Sequence, residues 1–431
     1  MKKIVSIGGG VLIVTLIAAY FLFPRTVTFS GLGAEITDQV VPVNTSSTTN
    51  TSSTQQEADR QQDAQGIFQP KLEHPPAIVR GLYITAWVAG ISSRVDALID
   101  IAKKNDINAV IVDIKDYSGY LSYCPDIPNA KTSGACDQIR ISDPVGLIKK
   151  LHDNGLYVIG RISVFQDPIQ AKAHPDWAIK DSKTKEVWRD AKGLAWLEVA
   201  APEVAQYVVD IARDASKRGF DEINFDYVRF PSDGNLDRAE YVRWDKSIPR
   251  HVVLKNFFQN IRSALSGLVI SADLFGLATV QRDDLGIGQV IEDAYPYFDY
   301  LYPMVYPSHY AAGFLGYKNP AEHPYEVIAY SMKQALNRKS SLALNAGISA
   351  SSTTSTVQQA AIDQAGANTT RQDSAPYAKL RPWIQVFDLG AIYTKDMIDK
   401  QIQATKESMG PEEYAGWLLW DPKNTYTPLK R

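Results

Sequence analysis

Cysteine, histidine and net charge are all scarce in this chain, and each scarcity removes a class of function. Only 2 cysteines and 6 histidines occur in 431 residues, without the four closely spaced ligands that a zinc site needs. The formal charge of −3 comes with no basic stripe to neutralise phosphates, so nucleic acid is excluded as a partner. No Gly-x-Gly-x-x-Gly or Gly-x-x-x-x-Gly-Lys-Ser/Thr follows an apolar run, which removes the usual signatures of dinucleotide and P-loop nucleotide binding. Neither a His-Asp-Ser order nor an internal repeat is present.

What remains is an ordinary globular balance, 45% hydrophobic and 22% charged, with two unusual segments ahead of it. Lys2 and Lys3 precede an uncharged, mostly apolar run from Ile4 to Phe23, roughly the length a helix needs to cross a ~30 Å hydrocarbon layer. The run ends at Pro24 without a small-residue cleavage site, so residues 1–25 are expected to form an uncleaved membrane anchor. The lysines hold its start in the cytoplasm, although Arg25 weakens the asymmetry. A cleaved export signal and a secreted protein are the alternative. Residues 26–75 form a linker, dominated from Asn44 to Gln65 by Ser, Thr, Asn and Gln, which bury too little surface to order themselves. Residues 76–431 are then a single extracytoplasmic domain. Cys124 and Cys136 lie close together in a loop-like stretch; a local disulfide fits an oxidising compartment, two thiols being the other reading.

Within that domain, eight apolar β-rich runs alternate with amphipathic helical stretches. They begin at Gly81, Ile107, Leu156, Gly219, Leu268, Phe298, Pro382 and Gly416. Near-continuous hydrophobic strands between helices call for a parallel sheet covered by helices, and eight such units predict a (β/α)8 barrel. The helical pattern weakens at 167–199 and 340–371, which read as insertions over the top of the barrel.

Active sites of such barrels lie where the strands end. Five runs end in acid: Asp113 with Asp116, Asp226, Asp273, Asp388 and Asp421, and the third run contributes Arg161 and Asp167. Period-two alternation puts Glu222, Asn224 and Asp226 on one face of the fourth strand and Ile223, Phe225 and Tyr227 on the other; Ser271 and Asp273 share a face of the fifth. Paired carboxylates suit glycoside hydrolysis, where one group protonates a leaving oxygen while another attacks or stabilises the sugar cation. Asp226, Asp273 and Asp113 are the expected catalytic residues. Asp388 and Asp421 read instead as turn or cap residues. Arg161 either pairs with Asp113 or Asp226 or orients substrate. With Asn224, Tyr302, Tyr306, Trp87, Trp420 and His309 it completes the expected substrate contacts, since rings with a polar tip stack on sugar faces, their other reading being barrel packing.

The motifs Arg80-Gly81-Leu82-Tyr83, Val112-Asp113-Ile114-Lys115-Asp116, Arg161-Ile162-Ser163-Val164-Phe165, Phe225-Asp226-Tyr227-Val228-Arg229-Phe230-Pro231, Ser271-Ala272-Asp273-Leu274-Phe275-Gly276, Tyr302-Pro303-Met304-Val305-Tyr306-Pro307 and Arg381-Pro382-Trp383-Ile384-Gln385 span almost the whole domain. In this the chain resembles a bacterial family of extracytoplasmic glycoside-hydrolase-like domains of unknown function, for which the resemblance implies a TIM barrel. More distantly, Gly219 to Tyr227 is similar to the fourth strand of chitinase-type barrels, Gly-Phe-Asp-Gly-Ile-Asp-Ile-Asp-Trp-Glu. There this chain departs: Val228 stands at the position of the catalytic Glu, and Asn224 at that of an inner Asp. Asp226 must then take over acid or nucleophile work, or the barrel only binds.

The leading expectation is thus a membrane-anchored glycoside hydrolase acting on a cell-envelope or extracellular polysaccharide by paired-carboxylate catalysis, with no metal and no cofactor. A catalytically silent barrel that binds glycan or an envelope protein as a scaffold is the alternative. A metal-dependent lyase or isomerase would need a histidine beside the aspartates, and none is convincingly supplied.

Overall fold

The computed structural model of the chain describes residues 69–352 and 377–430. The expected anchor 1–25, nearly all of the linker 26–75 and part of the expected insertion 340–371 lie outside the described residues. Among those described, no helix is long and apolar enough to cross a membrane.

Eight parallel strands close into a ring. They are β1 (Val79–Ile84), β2 (Ala109–Lys115), β3 (Tyr157–Ser163), β4 (Glu222–Asp226), β5 (Ile270–Phe275), β6 (Tyr300–Met304), β7 (Trp383–Gln385) and β8 (Gly416–Trp420). Each pairs with the next, Trp383 beside Met304 joins β6 to β7, and Val79 beside Gly416 closes β8 onto β1. Closure leaves no open edge. Among the described residues, six full helices follow strands in turn: α1 (Ser92–Lys104), α2 (Pro144–Asp153), α3 (Pro202–Lys217), α4 (Arg250–Ala264), then, after a single turn at Ile291–Ala294, α5 (Pro324–Ser352) and α6 (Lys395–Glu413). This is the (β/α)8 barrel that the alternation predicts.

Side-chain alternation on the strands creates two cores. Outward residues such as Val110, Val112, Ile223, Phe225, Ala272 and Leu419 pack against helices, while Tyr83, Ala109, Ile111, Tyr157, Ile159, Tyr302, Trp383 and Leu418 fill the lumen. Helix α3 shows why these segments are helical: Pro202 occupies its first turn, where a missing N–H costs nothing. Its buried Val204, Tyr207, Val208, Ile211, Ala212 and Ala215 recur at the three- and four-residue spacing of one helix face. Asp143 caps α2 by accepting the Gly146 amide at 2.8 Å.

The strict alternation fails once where it matters. On β2 the register against β3 slips between Asp113 and Lys115. This bulge leaves Asp113 facing the lumen but turns Lys115 toward α3, where its Nζ lies 2.5 Å from Asp167 with both side chains fully buried.

Segment 164–201 contains a short helix, Pro168–Ala173, and isolated bridges, and it joins the β4–α4 connection through an antiparallel pair, Lys180–Asp181 with Ala239–Glu240. Buried Glu198 accepts the amides of Val242 and Arg243 at 2.6 and 2.8 Å, which ties the two connections together. In the β2–α2 loop, Cys124 and Cys136 form a disulfide. The turn after β8 fastens the ring seam: Asn424 accepts the Thr85 amide at 2.8 Å and donates to the Tyr83 carbonyl at 3.2 Å, and the Tyr426 hydroxyl donates to that same carbonyl.

Candidate active site

Four adjacent strands deliver the site. Asp113 on β2 stands opposite Arg161 on β3, and Arg161 stands opposite Asn224 on β4. Two residues further along β4, Asp226 occupies the level above. Continuing the pairing of Phe225 with Ala272 sets Asp226 beside Asp273 on β5, on strands ~4.8 Å apart.

Arg161 is the hub. Its Nη1 donates to Asp113 Oδ1 at 2.6 Å, its Nη2 donates to Asp226 Oδ2, and its Nε lies 3.5 Å from Asp273 Oδ2. All four side chains are nearly sealed from water, the exposed fraction falling from 8% for Asp226 and 7% for Arg161 to 3% for Asp113 and 1% for Asp273. Burial alone would lower the guanidinium pKa, but the charges of Asp226 and Asp113 more than offset it and the net shift is upward.

The three carboxylates are not equivalent. Burial, then the neighbouring charge of Asp226, push Asp273 well above the usual carboxylate range, against the pull of Arg161, Trp383 and Asn224. Its Oδ1 accepts from Trp383 Nε1 at 2.8 Å and Asn224 Nδ2 at 3.0 Å. Burial also raises Asp113, with Arg161 and the Tyr83 hydroxyl working the other way. Asp226 accepts on both oxygens, from Arg161 on Oδ2 and from the Tyr227 amide on Oδ1 at 2.5 Å. Tyr227 itself adopts a φ of 54°, a left-handed conformation that costs a non-glycine residue ~1–2 kcal/mol. Val228, at the position of the chitinase-type glutamate, is fully buried.

The remaining expected residues spread over three environments. Trp420 lies at the site: its ring stacks on Tyr83 with centroids 4.0 Å apart, and the Arg161 guanidinium stands 5.1 Å from it. Tyr306 is buried near the same charges, since burial first and then Asp273 and Asp226 raise its pKa. It meets the edge of His309, whose pKa burial pushes down to about 4. Trp87 sits just beyond β1 with 61% exposure, its ring over the Arg140 guanidinium at 4.4 Å. Tyr302 is turned away from the aspartates. Its hydroxyl donates to Glu222 and receives Arg381 at 2.6 Å, in a deeper layer of the lumen. Asp388 accepts the Tyr393 amide, and Asp421 accepts the amides of Lys423, Thr425 and Tyr426, as turn residues do.

Sequence reasoning did not assign roles to Tyr83, whose hydroxyl donates to Asp113, or to Trp383, which donates to Asp273. Both lie in the motifs quoted above, and their odd-numbered lumen positions were readable from alternation; what they donate to was not. Among the described residues, no group of three or more His, Cys, Asp or Glu is arranged to hold a metal ion.

A family model described as "Putative glycosyl hydrolase domain" matches residues 81–348 and 344–426. A search of curated proteins finds no match. Among solved structures, a hypothetical protein from Ruminiclostridium thermocellum is 33% identical, covering 48% of this chain and 98% of that one with a TM-score of 0.42. An α-galactosidase from Thermus thermophilus is 11% identical over 84% of this chain and 64% of its own, at a TM-score of 0.43. A chitobiase from Flavobacterium johnsoniae is 14% identical over 61% and 37%, at 0.40. With the family model matching most of the folded domain, from the first barrel strand to the turn after the eighth, this chain belongs to that family of glycosyl-hydrolase domains.

Proposed function

We propose that the domain hydrolyses glycosidic bonds of a cell-envelope or extracellular polysaccharide, with Asp226 as the principal catalytic carboxylate. The observation that carries this reading is the convergence of Asp226, Asp273 and Asp113 on one guanidinium at the C-terminal ends of the strands. Asp273, its pKa pushed well above the ordinary range, suits the general acid that protonates the departing oxygen. Asp226, the most exposed of the three and an acceptor on both oxygens, suits the group that attacks or stabilises the sugar cation. Their adjacency favours the ~5–5.5 Å carboxyl spacing of retaining enzymes over the wider gap of inverting ones. Exposed Trp87, held from beneath by Arg140, offers a stacking face at the rim.

In the full chain, Asp226→Asn should lower release of reducing ends from a responsive polysaccharide by about 10³-fold or more, with the unfolding transition preserved. Undiminished turnover in that variant removes Asp226 from the mechanism. The scaffold alternative draws on Val228 and on the low exposure of the carboxylates; glycan binding without hydrolysis across a broad polysaccharide panel would favour it. Residues 1–25 anchor the domain on this reading, so the expressed chain should stay with the membrane fraction through a high-salt wash. Recovery in the soluble extracytoplasmic fraction would instead support export and release.

A further inference from the structure

Arg161 is saturated with carboxylates, whereas a second guanidinium at the same rim has none. Arg229 follows Asp226 by three residues, is 8% exposed, and forms no ion pair with any described residue. Its guanidinium is enclosed by aromatic faces, 4.7 Å from the centroid of Trp196, 5.5 Å from Tyr227 and 4.9 Å from Phe275. Nη1 is spoken for, donating to the Phe230 carbonyl at 3.0 Å and to Ser232 Oγ at 3.2 Å. Nε and Nη2 donate to no described residue, so this edge of the fork has no partner among them. Burial lowers the Arg229 pKa, against the pull of Tyr227, Asp226, Asp233 and Asp190. Asp190 is engaged by Gln166 and Trp196, and Asp233 by the Ala191 amide.

A planar guanidinium fixed on one side, with its other donors engaged by no described residue, is suited to take an oxyanion in two parallel hydrogen bonds. The aromatic walls orient it without neutralising it. We propose that Arg229 is an anion-recognition contact of this site, and that the glycan the barrel takes carries a carboxylate or phosphate group next to the sugar bound at Asp226. The inference rests on the hydrolase reading only for which site the sugar occupies.

The test is calorimetric titration of the full chain with three probes: an oligogalacturonate, its uncharged methyl ester, and an oligosaccharide ending in mannose 6-phosphate. The wild-type chain should bind a charged probe on the order of tenfold more tightly than the ester, with the preference shrinking as salt rises. Carboxylate or phosphate preference identifies the source of the anion. Arg229→Gln should abolish the preference while sparing ester binding, and Arg229→Lys should retain part of it. A merely structural role would weaken all probes alike. Absence of any wild-type preference, through equal binding or none, overturns the proposal whatever the variants do. The two readings fail separately: hydrolysis unchanged in Asp226→Asn with the Arg229-dependent preference intact discards the mechanism and keeps the anion site, and the reverse pattern does the opposite.

Discussion

Replacing Arg161 by methionine is the most demanding test of the site's electrostatics. The substitution keeps an unbranched side chain in the lumen but removes the one cation among the described residues that contacts Asp113, Asp226 and Asp273. Breaking a buried ion pair by deleting one partner costs about 3–5 kcal/mol, because the other charge is left unpaired in a low-dielectric interior. Over roughly 340 described residues, at ~2.1 cal/mol/K of unfolding entropy per residue, that corresponds to a Tm drop of about 4–7 °C. The pH dependence has a definite sign. Asp113 and Asp273 have pKa values raised in the folded state, so they contribute most stability below the unfolded carboxylate pKa and lose it as pH rises through the folded values. Without the guanidinium that rise is larger, so the deficit of Arg161→Met should deepen toward pH 8 and narrow toward about pH 5. Urea unfolding of both proteins between those limits measures it. A deficit below ~1 kcal/mol, flat across pH, would refute the claim that Arg161 holds three charged or chargeable neighbours together.

Two further expectations concern the same domain. If Asp273 is the general acid, activity falls on the alkaline side as it loses its proton, and Asp273→Asn should abolish that limb along with most of the rate; an unaltered pH–rate profile assigns the proton to another group. Replacing Cys124 and Cys136 by serine opens a loop of 12-residue separation, which should lower stability by about 2–3 kcal/mol. Reductant should produce the same loss in the wild-type chain and none in the variant, and equal sensitivity in both would contradict it.

The barrel was legible because its strands are buried on both faces and therefore read as continuous apolar runs. The inward face of β4 was legible for a related reason: Glu222, Asn224 and Asp226 alternate with Ile223 and Phe225, and no packing demand explains three polar residues there. Depth was not legible. Tyr302 pairs with Asp273 across β5 and β6, yet its hydroxyl meets Glu222 and Arg381, and the reach of a long side chain leaves no trace in a period of two. The bulge after Asp113 escaped for a similar reason, since one slipped residue reverses Lys115 without altering the composition of the run. The segment 167–199 lacks helical periodicity because it holds its shape through Glu198, isolated bridges and buried Trp177, Trp188 and Trp196. Those contacts span connections far apart in sequence.

The turn after β8 has a significance beyond the seam it fastens. Thr85, Asn424 and Tyr426 brace the ladder by which β8 meets β1, so a cut or deletion within 421–426 would loosen that seam and let the margins of β1 and β8 come apart more readily. Such margins recruit strands from other molecules. The expected fate of a chain damaged there is therefore self-association, with concentration rather than temperature governing how quickly it is lost from solution.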